Sequence, residues 1–410
     1  MGSLHLALAY DCKEDYLAAG LSPAEVMEFD SEETIGAVER ALASLGHAVE
    51  RVGRGVELAR LLAAGRRWDL VFNIAEGIRG RSREAQVPAL CEMFDQPYTF
   101  SDPLTCAVTL DKPLAKRIVR DHGLPTPPFA VIERLEDLRG VSLSPPLFAK
   151  PAAEGSSKGI SARSKVASKR ELRSTCAELL ATHRQPILVE SFLPGRELTV
   201  GIVGNGAAAR VVGVMEVEFV GGNDREAYTA LNKGDWEERV SYRLLDGEPL
   251  AERARTLALG VYRALACRDA ARVDLRCDSR GEPQFLEVNP LPGLNPRSGD
   301  LPILARLAGV SHPELLGRIV AAACERSGVA IGPRAERHVL PVVIPSESER
   351  SGVETGPRAA RHVLPVVIPS ESEGPGGRAA RKLEVWEASR LPGPSLPLGM
   401  TDPKFSRPPD

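Results

Sequence analysis

Lysine is scarce in this chain. Of 52 basic residues only ten are Lys, so Arg is the default cation. A Lys therefore marks a position where a compact point charge serves better than a planar fork. Lys112, Lys150 and Lys233 stand out on that ground. Paired cysteines are lacking too. The seven Cys are scattered, with no C-x-x-C among them, which excludes a disulfide framework or Cys-based zinc site and points to reduced thiols. No apolar run approaches the roughly 20 residues that cross a membrane. There is no basic excess, with a net charge of -3, so nothing favours a nucleic-acid or polyanion partner. The first residues lack the basic and long apolar regions of a secretory signal. Leu6 stands where a myristoylation motif wants Ser or Thr. A cytoplasmic protein without membrane or nucleic-acid partners is expected. What is present suits a soluble globular protein: 410 residues, 43% hydrophobic and 26% charged, a length for two or three domains.

The chain opens on alternating strands and helices. Residues 4–10 read as a buried strand. Asp30 and Glu33 have capping-box spacing and open a helix with Ile35, Val38, Leu42 and Leu45 on one face, closed by Gly46. Strand 48–52, a short helix, strand 68–75 and a further helix follow, a βαβα run that implies a parallel sheet. Residues 111–122 read as a helix stopped by Gly123. Then come strands at 129–132, 146–150, 159–163 and 187–193, with a helix at 168–182. Two long β segments precede a polar stretch, 221–239, that reads as a long loop, either functional or disordered. A helix over 249–266 leads to a hairpin with its turn at 278–282, and helices near 300–308 and 312–326 end the fold. Beyond 329 the composition changes, with 13 of the 33 prolines. Residues 332–349 recur as 356–373 with one difference. Two copies are too few for a solenoid, and a disordered tail is expected, either a plain duplication or a docking segment.

Three segments carry chemistry. In the last hairpin, Asp274 lies on one strand, and Glu287 and Asn289 lie two apart on the next, facing one side. Two carboxylates and an amide oxygen suit Mg²⁺ with bound phosphates; a solvated hairpin fits equally. Arg272 shares the face of Asp274. In residues 149–159 a short strand delivers Lys150 to a Gly/Ser loop holding Glu154, Gly155, Ser156 and Ser157, where small residues let N–H groups approach phosphate. The Lys precedes the glycines, so this is no Walker A loop, and an ordinary hairpin turn is the alternative. Gly53 and Gly55 lack the third Gly and position of a dinucleotide fingerprint. In residues 189–199, Glu190 ends one strand and Glu197 begins the next. Such carboxylates can accept from an adenine amino group or ribose hydroxyls, or form a salt-bridged turn with Arg196.

In order and spacing, DK (111–112), FAKP (148–151), EGSSKG (154–159), VESFLPGREL (189–198), NK (232–233), RVD (272–274) and LEVNPLPG (286–293) resemble the ATP-grasp superfamily, specifically the D-alanine–D-alanine ligases. The resemblance runs from about 100 to 328. It implies an α/β ATP-grasp fold with an N-terminal Rossmann-like domain (1–102), a small central α+β domain (103–193), a C-terminal metal-bearing α+β domain (194–328) and the tail (329–410). It implies that Lys112 and Lys150 contact the α- and β-phosphates and that Ser156 and Ser157 close over the phosphates, with Ser156 reaching substrate. Glu154 would belong to the same nucleotide site. Glu190 would hold adenine, Glu197 the ribose, and Lys233 the γ-phosphate. Asp274, Glu287 and Asn289 would bind two Mg²⁺, with Mn²⁺ possible on the same ligands. Arg272 and the Gly293 N–H would stabilise an oxyanion, and Ser298 would hold the second substrate's carboxylate.

The implied reaction is ATP-dependent joining of two amino acids through an acyl phosphate, under a lid at 221–239, in a homodimer. The alternatives are a ligase for another amino-acid or peptide pair, a nucleotide-binding regulator without turnover, or a scaffold whose tail docks a partner. The N-terminal region departs from the family. The GG-x-S-x-E motif is replaced by residues 9–14. In the HG…GEDG…Q region, Asn73 takes the place of the His, and Glu84 and Gln86 echo the remainder. Asp11, Glu14, Glu76 and Arg83 are candidates to line an altered first-substrate pocket.

Overall fold

A computed structural model describes residues 2–155, 158–219 and 240–331. Ser156, Ser157, residues 220–239 with Lys233, and the repeated segment beyond 331 lie outside the described residues. β1 (His5–Tyr10) leads through α1 (Lys13–Ala18) and α2 (Glu32–Ser44) to β2 (Ala48–Gly53), and through α3 (Gly55–Ala63) to β3 (Leu70–Ile74). The strands form a parallel sheet in the order β2-β1-β3. Period-two alternation sorts its two faces. Leu6 and Leu8 pack with Ile35, Val38 and Leu42 of α2, while Ala7 and Ala9 face Leu58 and Leu62 of α3 and Cys91 of α4 (Gln86–Met93). Both faces are covered, as a parallel sheet requires.

The cap of α2 differs from expectation. The Ser31 hydroxyl, not Asp30, accepts from the Thr34 N–H at 3.3 Å. The Ser one residue later satisfies the first-turn donor, which leaves the Asp30 carboxyl outside the helix.

α5 (Pro103–Leu110) and α6 (Lys112–Asp121) follow, capped by Asp102 and Asp111. The second sheet holds β4 (Phe129–Ile132), β5 (Leu147–Pro151) and β6 (Lys165–Val166). After α7 (Lys169–His183) comes β7 (Ile187–Ser191). Its order is β4-β7-β5-β6, all antiparallel. Leu172, Cys176 and Leu179 of α7 cover one face. The strand expected at 159–163 does not form. Ser161 accepts locally from the Arg163 N–H at 3.2 Å and starts a 3-10 turn over Ala162–Ser164. Such local side-chain bonds compete with a ladder, and pairing passes to β6.

The third sheet contains β8 (Glu197–Val203), β9 (Arg210–Phe219) and β10 (Val240–Leu244). After α8 (Pro249–Ala264) come β11 (Ala270–Cys277) and β12 (Pro283–Asn289). Its order is β10-β9-β8-β11-β12, antiparallel throughout. Ala254, Leu257 and Val261 of α8 cover one face. α9 (Asp300–Leu307) lies so close on the other that a Cβ on Gly201 would sit 2.5 Å from Leu304 and 2.6 Å from Leu301. α10 (His312–Ser327) returns to the first sheet, where Leu315, Leu316 and Ile319 share the core of Leu6 and Leu8. Val329 is buried in that same core, so the chain is still packed at the residue where the tail was expected to begin. α1, α5 and β10 were not expected; six, eight and five residues are too few to display a clear period.

Candidate active site

The register of β11 and β12 sets Asp274 opposite Glu287 and Arg272 opposite Asn289, with a bulge just after Asp274. A bulge beside a site re-aims side chains. Asp274 Oδ2 accepts from Arg272 Nε at 3.1 Å, Arg272 Nη2 at 2.9 Å and Asn289 Nδ2 at 3.1 Å, and Oδ1 accepts from Thr199 Oγ1 at 3.1 Å. Arg272 Nη1 donates to Asp300 Oδ2 at 2.6 Å. The guanidinium is thus clamped between two carboxylates, a planar fork's natural use.

Glu287 lies 3.4 Å from the Lys112 ammonium, which also donates to the Glu154 carbonyl. Burial opposes ionisation of Glu287, but Lys112, Lys150 and Arg272 outweigh it and hold its carboxyl well below the usual range. Asp274 goes the other way. Burial raises it, Glu287 and Asp300 add to the rise, and Arg272 opposes them. Among the described residues no three His, Cys, Asp or Glu side chains converge on one point. The donor set is therefore two carboxylates and one amide, which suits Mg²⁺ completed by phosphate oxygens and water.

A second ionic group lies behind the first. Glu190 is buried between Lys150, 2.9 Å away, and Lys116, 2.8 Å away. Lys116 is fully buried and donates to Thr126 Oγ1 and the Phe285 carbonyl, each at 3.0 Å. Burial pushes its ammonium down to about 8 despite Glu190, while the two lysines overcome burial and keep Glu190 below its ordinary value. Sequence reasoning missed Lys116. Its signal was a rare Lys four residues after Lys112, on the same helical face.

Two cavities adjoin along one wall. The first, about 110 Å³, is lined by Phe148, Lys150, the 190–193 segment, Glu197, Thr199 and Asp274. The second, about 340 Å³, is lined by Lys112, Asn289, Gly293, Asn295 and Ser298, and by Glu28, Asp30, Glu76 and Glu84 from the N-terminal region. Arg272, Glu287 and Asp300 line both. Burial raises Glu197 in the first cavity, with Arg276 opposing at 3.5 Å. The Ser298 N–H donates to Asn295 Oδ1 at 3.0 Å, and Asn295 Nδ2 donates to Thr34 at 2.8 Å, pinning this turn to α2.

Among the described residues outside the N-terminal region, the candidates from the sequence line one or the other of these cavities, and Arg272 and Glu287 line both. The Glu154 carboxylate turns away, accepting from Gln185 at 2.6 Å and facing Lys158 at 3.3 Å. Asp300 and Thr199 were not foreseen; an acid at a helix start and a Thr in a strand read as ordinary. Among the four N-terminal candidates, Glu76 lines the second cavity and Arg83 binds Glu28 at 2.7 Å. Asp11 instead accepts from Tyr16 at 2.7 Å and the Gly77 N–H at 2.8 Å, and Glu14 accepts from the Glu32 N–H.

Residues 118–321 match the family model described as the D-ala D-ala ligase C-terminus. The D-alanine–D-alanine ligase of Bordetella petrii is 36% identical over 293 residues, 70% of this chain and 86% of that protein. That of Pelotomaculum thermopropionicum is 32% identical, over 72% of this chain and 92% of that protein. An uncharacterised protein of Sinorhizobium fredii is 34% identical, over 63% of this chain and 75% of that protein. The crystal structure of the D-alanine–D-alanine ligase of Bacillus anthracis shares the fold, with a TM-score of 0.61 and 20% identity over 79% of this chain and 99% of that one. The chain belongs to the D-alanine–D-alanine ligase family of ATP-grasp proteins.

Proposed function

We propose that this protein is an ATP-dependent carboxylate–amine ligase that joins two amino acids, acting in the manner of the D-alanine–D-alanine ligases it resembles. The observation that carries the reading is the shared wall. Arg272, Glu287 and Asp300 line both cavities, and in this reading the nucleotide reaches them from the first and the amino acids from the second. A phosphoryl group at that boundary is within reach of both. A solved Bacillus anthracis D-alanine–D-alanine ligase is complexed with ATP, which supports ATP as the nucleotide.

In this reading, adenine lies along the 190–193 segment and ribose at Glu197. The Glu190 carboxylate is already shared by two lysines, so its part is to fix Lys150. Lys150 and Lys112 meet the α- and β-phosphates, with Ser156, Ser157 and Lys233 closing over them. Asp274, Glu287 and Asn289 would hold two Mg²⁺, or Mn²⁺, which would offset phosphate charge when bound. A carboxylate oxygen of the first amino acid attacks the γ-phosphorus and ADP leaves. The amine of the second attacks the acyl carbon, loses its proton, and expels phosphate. Arg272 and the Gly293 N–H stabilise the oxyanion between these events, and Ser298 receives the second carboxylate. The three-part division at 102, 193 and 328 accompanies this proposal, each sheet falling in one part. A cytoplasmic place accords with seven free, buried cysteines, and a D-alanine pair would place the enzyme in peptidoglycan precursor synthesis.

The test is phosphate release from ATP and Mg²⁺ across D- and L-amino acids, with mass spectrometry of products. A dipeptide plus stoichiometric phosphate is expected. ATP binding without turnover on any pair would instead favour a nucleotide-binding regulator.

A further inference from the structure

The ligation steps make no use of Lys116, although it is fully buried. Taking an ammonium out of water is costly, so a buried Lys calls for a reason. Its three donors match three partners. Lys116 Nζ donates to Thr126 Oγ1 and to the Phe285 carbonyl, each at 3.0 Å, and lies 2.8 Å from Glu190 Oε2. These partners come from the turn after α6, from β12 and from β7. Phe285 stands two residues before Glu287 on β12, so the group is tied to the strand that carries that carboxylate. Lys116 lines neither cavity, and with its donors committed it cannot itself bind a ligand. Lys150 is its counterpart on the other oxygen. It lies 2.9 Å from Glu190 Oε1 and lines the first cavity.

One carboxylate thus stands between two ammoniums. Both are charged at neutral pH. Burial pushes Lys116 down, but only to about 8. Burial also opposes the Lys150 charge, and Glu190, with Glu287, more than offsets it. The three groups together keep one positive charge, and Lys150 is the member that presents it to the cavity. Facing Lys150 alone, Glu190 would form a neutral pair with it. In so dry a place that carboxylate would compete with a phosphate for the same ammonium. We propose that Lys116 is a positioning residue for the nucleotide: it neutralises Glu190 from behind, so that Glu190 holds Lys150 in place without consuming the charge that Lys150 offers to a phosphate. This rests on the assignment of the first cavity to ATP. A Lys116 that merely holds the fold together would support every part of the nucleotide alike.

The experiment measures binding of a non-hydrolysable ATP analogue with Mg²⁺, by calorimetry, and of labelled adenosine, by equilibrium dialysis, to the full chain. Each variant is studied below its melting temperature. Lys116→Met should weaken the analogue at least about tenfold, the worth of one charged contact. Adenosine carries no phosphate and should lose less than about threefold. Where the wild type binds adenosine too weakly to detect, the phosphates carry the affinity and the analogue alone gives the comparison. Adding Glu190→Gln removes the competing carboxylate and should return at least half of the analogue's loss on a logarithmic scale. Lys116→Gln, which keeps a donor for the Phe285 carbonyl, replaces Lys116→Met if that variant does not fold. An unchanged analogue affinity, equal losses for analogue and adenosine, or losses that add in the double variant would overturn the proposal and leave the ATP reading intact. A wild-type chain that does not bind the analogue would overturn the ATP reading, and the proposal with it.

Discussion

The two sides of the active cleft handle charge in opposite ways. Around the smaller cavity and the wall it shares, the acids are answered by bases: Glu190 by Lys116 and Lys150, Asp274 by Arg272, Glu287 by Lys112. On the N-terminal side Asp30, Glu76 and Glu84 line the larger cavity, with Arg83 the cation that acts on Glu76 and Glu84. Burial, with Asp11 adding, pushes Asp30 up to about 7, and burial, with Arg83 opposing and Glu28 adding, pushes Glu84 up to about 7. The lesson is that a buried carboxyl stays ionised where a base lies within ion-pair distance, and holds its proton to higher pH where burial and neighbouring acids prevail.

The comparison can be broken from either side. The largest effect is expected at the shared wall. Glu287→Gln should lower ligation turnover by on the order of 10³-fold with the fold retained, as phosphate-release assays and thermal melts will show. Next is the ionic group behind it. Lys116→Met leaves Glu190 with Lys150 alone inside the protein, and should cost about 3–5 kcal/mol in denaturant unfolding. Adding Glu190→Gln should restore at least half of that loss, whereas additive losses would show that Lys116 and Glu190 do not depend on each other.

The N-terminal wall predicts a pH slope of opposite sign to that of Glu287. A carboxyl raised to about 7 in the folded state binds more protons folded than unfolded between about pH 4.5 and 7. Its contribution to stability is therefore present below that window and falls as pH rises through it, by no more than about 3 kcal/mol for Glu84. Glu84→Gln should flatten the slope between pH 5 and 7, measured by urea unfolding. Glu287, held low, contributes stability above its unfolded value that is lost only as pH drops below about 4.5.

A smaller effect tests how the wall is held. Gly77 has φ +70° and a Cβ there would meet the Arg83 carbonyl at 2.6 Å. Gly77→Ala should displace the Arg83–Glu84 turn, costing about 1–3 kcal/mol and raising the KM for the first amino acid while the KM for ATP holds. Smallest of all, removing residues 332–410 should change turnover by less than about twofold, provided that Val329, buried in the first core, is kept.

Legibility in the sequence follows the same divide. The side with the paired charges was readable because short strands deliver its residues at fixed spacing: Arg272 and Asp274 two apart, Glu287 and Asn289 two apart, Lys150 at a strand end. Period-two geometry then puts each pair on one face. Lys116 was hidden because its partner Glu190 is 74 positions away in the chain, and no local pattern announces a buried ion pair. The N-terminal wall was legible only in part: Glu76 was a candidate and Glu84 echoed the family motif, while Glu28 and Asp30 were not foreseen. Glu28 and Asp30 come from the loop before α2, and Glu76 and Glu84 from the turns after β3. A sequence pass sees surface charges in loops there, and Asp30 in particular reads as a helix cap. Only the actual cap at Ser31 releases it to the cavity. The missed strand at 159–163 shows the same limit, since Ser161 bonding to its own turn decides the outcome over apolar patterning.

The most direct test of the central claim, that a carboxylate is activated at the boundary between the two cavities, follows an oxygen atom. An amino-acid substrate labelled with ¹⁸O in its carboxylate is turned over with ATP and Mg²⁺, and the released phosphate is analysed by mass spectrometry. Attack of the carboxylate on the γ-phosphorus followed by amine capture predicts one ¹⁸O in each phosphate, with the peptide retaining the other. Unlabelled phosphate would show that water, not the carboxylate, receives the phosphoryl group, and would contradict the account.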